Sequence, residues 1–82
     1  MSEIRRVGVL GCGQMGSGIA QAAAVAGFEV SAGDLHDEHL TRGRVAIEQS
    51  LTRFVEKGKL AAEARQAALA RLRFTTDLHE LA

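Results

Sequence analysis

An α/β fold built on parallel strands is what this 82-residue sequence predicts. Short apolar runs alternate with longer stretches of helical periodicity, the order that generates β-α-β units. The first run, Val7-Gly8-Val9-Leu10, leads into Gly11-Cys12-Gly13-Gln14-Met15-Gly16, a G-x-G-x-x-G pattern opening an Ala-rich helix. An acid, Asp34, closes the second apolar run, 18 residues beyond Gly16.

Residues 6–10 predict the first strand, which is short, partly β-branched and ends at glycine. Residues 14–26 predict a helix. Met15, Ile19, Ala22, Ala23 and Ala26 fall at helical spacings and mark its apolar face. Gly27 stands where a helix-ending glycine belongs. Residues 28–33 predict the second strand, with Phe28, Val30 and Ala32 alternating with Glu29, Ser31 and Gly33. A strand buried on both faces is more uniformly apolar, so this signal is weak.

Residues 36–56 predict a long helix. Asp37 and Glu38 suit its first turn, where the helix dipole favours negative charge. Leu40, Ile47, Leu51, Phe54 and Val55 form its expected buried stripe, and Gly58 its stop. A helix of that length spans roughly 30 Å. A six-residue strand spans only about 20 Å, so the helix is expected to overhang the sheet. Residues 61–72 predict a third helix with Ala61, Ala64, Ala68 and Leu72 on its apolar face and Leu69 beside it. Lys57-Gly58-Lys59 is a short turn, which predicts an antiparallel pair. Residues 74–82 are ambiguous, a loop followed by a helical turn from Asp77. The chain thus divides into a β-α-β part over 1–35 and a helical pair over 36–73.

Composition narrows the function classes. Ten basic and ten acidic residues cancel. That argues against nucleic-acid or membrane-surface binding driven by bulk charge. Cys12 is the only cysteine, so no intrachain disulfide forms and a reducing, cytoplasmic setting is expected. The N-terminus does not read as a signal peptide. No apolar run is long enough to span a membrane.

The glycine pattern carries the chemistry. Gly11 suits the tight turn out of the strand. Gly13 lets the backbone approach a pyrophosphate closely, and Gly16 lets the helix pack on the strand. Free N–H groups in the first helical turn then face the phosphates, with the helix dipole adding to the attraction. Asp34 is placed to accept from the adenosine ribose hydroxyls, and its charge repels a 2′-phosphate, favouring NAD over NADP. The candidate cofactor residues are Gly11, Gly13, Gln14, Met15, Gly16 and Asp34. The alternative is a glycine turn that serves only strand-helix packing.

With these features the chain resembles the N-terminal, Rossmann-type part of 3-hydroxyacyl-CoA dehydrogenases, of the bacterial 3-hydroxybutyryl-CoA dehydrogenase type. The resemblance runs through residues 7–21, Ile47-Glu48-Gln49-Ser50-Leu51, Val55-Glu56-Lys57-Gly58-Lys59-Leu60 and Thr75-Thr76-Asp77-Leu78, the last matching a segment that precedes the family's next strand. It implies an NAD-binding domain with a helical pair projecting beside the substrate cleft. It also implies that Ser50 and Lys57 contact coenzyme A, whose phosphates suit a lysine. Alone, Lys57 reads as a solvated cation near a helix C-terminus and Ser50 as a surface serine. The family's second strand is bulkier than Ser31-Ala32-Gly33. Its catalytic histidine and glutamate, with a serine and an asparagine at the substrate, are expected beyond residue 82, so no catalytic role falls on a residue here.

His36, Asp37, Glu38 and His39 resemble a metal cluster, but two histidines three apart make no site without a third ligand, so they read as a solvated helix N-terminus and no metal is expected. Cys12 reads as a small loop residue whose position could lower its thiol pKa. His79 reads as a surface histidine and Gly18 as a packing residue.

Two readings follow. In the first, the chain is the NAD-binding part of an oxidoreductase that converts 3-hydroxyacyl-CoA to 3-oxoacyl-CoA in fatty acid metabolism, inactive by itself. A β-hydroxyacid or carnitine dehydrogenase is the variant of this reading. In the second, it is a non-catalytic module whose open sheet edges and uncovered face drive a homodimer or strand-exchanged assembly.

Overall fold

The computed structural model describes residues 5–11 and 13–77. The readings that fall on Cys12, on the side chain of Gln14, on His79 and on a helical turn running on from Asp77 lie outside the described residues. The elements are β1 (Arg6–Leu10), α1 (Gln14–Val25), β2 (Glu29–Gly33), α2 (Asp37–Glu56), α3 (Ala62–Ala70) and β3 (Leu72–Thr75). The strands form one parallel sheet in the order β1-β2-β3.

Register decides which side is buried. Val7 pairs with Val30, Val9 with Ala32, and these with Leu72 and Phe74. Alternate residues of a strand share a face, so these six line one side of the sheet. Ala20 and Ala24 of α1, Ile47 and Leu51 of α2, and Ala68 of α3 pack on that side to make the core. Gly8, Ser31 and Arg73, on the other side, are exposed or half-buried. The described residues therefore form two layers, and none of their helices packs on the second sheet face.

The small residues of β2 do not weaken it, because Val30, Ala32 and Gly33 are all buried. A central strand that accepts hydrogen bonds on both sides needs little side-chain volume to be held. The second strand starts one residue later than expected, at Glu29.

Three expectations are corrected. Of the apolar face expected for α1, only Ala23 packs against the core, half-buried, while Met15, Ile19, Ala22 and Ala26 are exposed. The buried residues of α1 are Ser17, Ala20 and Ala24, while Met15 is 81% exposed. Small side chains let α1 lie close to the sheet, and the larger ones fall beside β1 instead. In α2 the stripe is Leu40, Gly43, Ile47 and Leu51. Phe54 is 39% exposed, because the last turns of this long helix outrun the core.

The third correction concerns the end of the chain. The helix expected to reach residue 72 stops at Ala70, Arg71 is its C-cap, and Leu72–Thr75 becomes β3. Leu72 and Phe74 alternate with Arg73 and Thr75, and β2 offers them an open edge. Val30 N–H donates to Arg71 O at 2.9 Å and Asp34 N–H to Thr75 O at 3.2 Å. Ala61, expected on the apolar face of α3, is exposed. Gly58, at φ +72, ends α2 as expected. Beyond the turn, α3 packs on α1 and β3 as well as on α2, so it joins the layer over the sheet and does not stand clear of it. Among the described residues no helix is long and apolar enough to cross a membrane.

The start of α1 lies close against the residue that follows β1. A Cβ on Gly16 would run into the Gly11 carbonyl oxygen, which is backbone and cannot rotate aside. Gly16→Ala is expected to cost about 1–3 kcal/mol in a urea titration. Leu51→Ala, at a fully buried site, is expected to cost about 2–5 kcal/mol. Gly13→Ala meets no atom within 4 Å and is expected to cost no more than about 1 kcal/mol, the N-cap preference for Gly over Ala. Equal midpoints for Gly16→Ala and Gly13→Ala would remove the close approach as a constraint.

Candidate functional site

The carboxyl ends of the strands bring the predicted cofactor residues together. Gly11 leaves β1 at φ +91, where a glycine is needed, and its N–H donates to Gly33 O at 2.7 Å. That bond ties the glycine loop to the end of β2, one residue before Asp34. Gly13 is the N-cap of α1 and is exposed. It supplies no side-chain cap, and the first turn holds no acid. Gly13 therefore leaves the leading N–H groups of α1 without a cap from its own side chain, and no first-turn acid offsets the dipole, an arrangement that suits an anion. The open space over Gly13 leaves room for a phosphate group to approach the backbone. Met15 stands in a cleft of about 560 Å³ beside Gly8, Leu10 and Ile19.

Asp34 follows β2 and is 9% exposed. Its Oδ1 accepts from the backbone N–H of His36 at 2.9 Å, fixing the carboxylate at the mouth of α2. The two histidines expected to be solvated both turn to it. His36 Nδ1 lies 3.4 Å from Oδ1, and His39 Nδ1 lies 3.1 Å from each carboxylate oxygen. Each imidazole donates there in its Nδ1–H tautomer. The sequence paired the histidines only with each other. The third partner comes from the preceding strand, and the spacing Asp34-x-His36-x-x-His39 was the signal that could have found it.

The predicted coenzyme A residues lie apart from this cluster, further along α2. Ser50 Oγ accepts from Gln21 Nε2 at 2.9 Å, a bond that ties α2 to α1. Ser50 lines a groove of about 620 Å³ between those helices. Lys57 is the exposed C-cap residue of α2. Seven residues is about two helical turns, so Ser50 and Lys57 share a side of α2 at about 10 Å separation along the axis. Gln21, Arg42 and Arg53 also line the groove, and no acid does among the described residues. Sequence reasoning missed these three, since only the packing of α1 on α2 makes one surface of them. Arg42 makes a long contact of 3.9 Å to Glu38, both well exposed, which leaves it available to an anion.

Comparison with known proteins agrees with this geometry. Residues 6–82 match the model of the family described as 3-hydroxyacyl-CoA dehydrogenase, NAD binding domain. A probable 3-hydroxybutyryl-CoA dehydrogenase of Deinococcus radiodurans is 51% identical over 77 residues, covering 94% of this chain and 27% of the relative. A 3-hydroxybutyryl-CoA dehydrogenase of Mycobacterium tuberculosis is 50% identical over 78 residues, covering 95% and 27%. The crystal structure of M. tuberculosis FadB2 superposes with a TM-score of 0.94 at 49% identity, covering 98% of this chain and 28% of that one. The crystal structure of 3-hydroxybutyryl-CoA dehydrogenase from Escherichia coli superposes with a TM-score of 0.94 at 42% identity, covering 99% and 17%. The chain thus spans about a quarter of the length of these curated relatives. A glycine loop under an uncapped helix, an acid at the end of the next strand and a match across residues 6–82 together place this chain in the 3-hydroxyacyl-CoA dehydrogenase family, as its NAD-binding domain.

Proposed function

We propose that this chain binds NAD in preference to NADP and serves an oxidoreductase that converts 3-hydroxyacyl-CoA to 3-oxoacyl-CoA. One observation carries this reading: the uncapped N-terminus of α1 and the buried carboxylate of Asp34 sit at the same edge of the sheet, joined through the Gly11–Gly33 bond. Gly11, Gly13 and Gly16 shape the backbone that receives the pyrophosphate, with Gln14 and Met15 in the same turn. Asp34 takes the adenosine ribose hydroxyls. NAD, when bound, supplies a hydride acceptor for the substrate's 3-hydroxyl carbon. What the described residues contribute is binding and orientation. No general base is assigned among them. A cytoplasmic setting suits this reading.

Ser50 and Lys57 are proposed to contact coenzyme A. The groove between α1 and α2 supports this for Ser50, since Arg42, Arg53 and Gln21 offer donors beside it and no acid is among the described residues that line it. The alternative, a β-hydroxyacid or carnitine-type dehydrogenase, gives Lys57 no such partner. A second role, self-association as a homodimer or strand-exchanged assembly, is favoured by β1. Its outer edge has no strand partner among the described residues, and Leu10 beside it is 71% exposed.

Three measurements test these points. Calorimetric titration is expected to show saturable NADH binding and at least tenfold weaker NADPH binding. Gly13→Ala should abolish NADH binding while the fold survives, and Asp34→Asn should narrow the NADH preference by about tenfold, since a hydrogen bond to a charged group is worth about 1.5–3 kcal/mol. A folded chain that takes up neither nucleotide would sink the reading. Coenzyme A affinity should fall up to about fivefold in Lys57→Ala, as exposed ion pairs contribute about 0.2–1 kcal/mol, and an unchanged affinity would remove Lys57 from the contact. Sedimentation equilibrium is expected to show dimers, and a stable monomer at high concentration would rule out self-association.

A further inference from the structure

We propose that Asp34, His36 and His39 form a binding site for a first-row divalent cation of the zinc, cobalt or nickel class. The three side chains each offer one ligand atom, and these atoms all lie within 4.8 Å of one another. The separations from Asp34 oxygen to His36 Nδ1 and His39 Nδ1 are 3.4 and 3.1 Å. Ligands about 2.0–2.2 Å from a tetrahedral centre stand roughly 3.4 Å apart, so the donors already lie at near-coordinating distances from the carboxylate. Two imidazoles and one carboxylate suit borderline metals and not magnesium or calcium, which take oxygen donors.

The surroundings support occupancy. Asp34 is nearly buried and is oriented by the His36 backbone N–H, so one ligand is preset before a cation arrives. The side chains of His36 and His39 are 68% and 46% exposed, leaving an entry path and open coordination positions for water. All three ligands fall within six consecutive residues at the β2–α2 junction, so closing on a cation moves little chain. The N-terminus of α2 disfavours a cation through its dipole. Asp37 and Glu38 in the first turn act against that field. On binding, each imidazole passes from the Nδ1–H to the Nε2–H tautomer and presents the Nδ1 lone pair in place of a hydrogen bond.

One consequence rests on the dinucleotide reading given under Proposed function. The same Asp34 carboxylate is assigned to the adenosine ribose, so cation and NAD exclude one another, and the metal becomes a brake on cofactor binding.

The test is calorimetry of the full chain with Zn²⁺, with Mg²⁺ as comparator, and Co²⁺ titration followed by visible absorption. The expected result is one Zn²⁺ per chain, no Mg²⁺ binding, and a Co²⁺ spectrum of nitrogen and oxygen coordination. Cys12→Ser and His79→Ala, which remove the one cysteine and the third histidine, should leave the affinity unchanged. His36→Ala and His39→Ala should each weaken Zn²⁺ by about tenfold or more. Both histidines are exposed, so these variants are expected to fold, and circular dichroism verifies it. Zn²⁺ affinity unaltered in the His36→Ala/His39→Ala double variant, or no Zn²⁺ uptake by folded chain, overturns the site. A second arm repeats the NADH titration with saturating Zn²⁺. Weaker NADH binding in the parent but not in the double variant supports the brake. Zn²⁺ bound with NADH affinity unchanged leaves the metal site standing and removes Asp34 from the ribose.

Discussion

The contact between Gly16 and the Gly11 carbonyl sets the distance between α1 and the sheet, and most of the structure depends on it. With no side chain between them, the helix starts almost on top of the strand it follows. Ala20 and Ala24 can then be fully buried against the sheet with only methyl groups. The same proximity aims the uncapped end of α1 at the carboxyl edge of β1, where the binding chemistry collects. A larger residue at Gly16 would lift the helix and open both the core and the loop. Packing and function therefore share one requirement at Gly16, which is why the glycine pattern is informative about both.

How much of this was legible in the sequence follows from the range of each interaction. The first strand, the glycine loop and the helix caps at Gly27 and Gly58 depend on residues within a turn of one another, and their local chemistry is unambiguous. The buried face of α1 was not legible. Hydrophobic periodicity ranks side chains by size, whereas this helix buries its small ones and exposes Met15 and Ile19. The strand β3 was hidden for a related reason. Leu72-Arg73-Phe74-Thr75 is too short a period-two signal to outweigh the helical spacing of Ala64, Ala68 and Leu72, and only the neighbouring edge of β2 decides between them. The Gln21–Ser50 bond joins residues 29 apart, and nothing local announces it.

The site shows the same division. Asp34 was expected from its place after a strand, but its company was not. Burial of a carboxylate demands partners. Here the demand is met by a backbone N–H and two imidazoles within five residues, a ring arrangement in which His36 and His39 also approach each other at 4.8 Å between centroids. Elsewhere, distant groups close the helical layer. The Arg71 guanidinium donates to Ala24 O at 2.8 Å, joining the end of α1 to a residue 47 positions further along the chain. Arg44 lies 4.9 Å from the centre of the Phe74 ring, which fastens α2 to β3.

The ladder bonds also impose an order in time. Gly11 N–H needs the carbonyl of Gly33, and Asp34 N–H needs that of Thr75, so each end of the candidate site is held by a residue that leaves the ribosome later. During synthesis the glycine loop is complete as a sequence long before it has a shape. The first 35 residues can form a turn and a helix, yet the bond from Asp34 N–H to Thr75 O waits until β3 has emerged and paired. Geometry for the ligand is thus the last thing this stretch of polypeptide acquires, and a nascent chain halted before Thr75 would carry the motif without the place to use it.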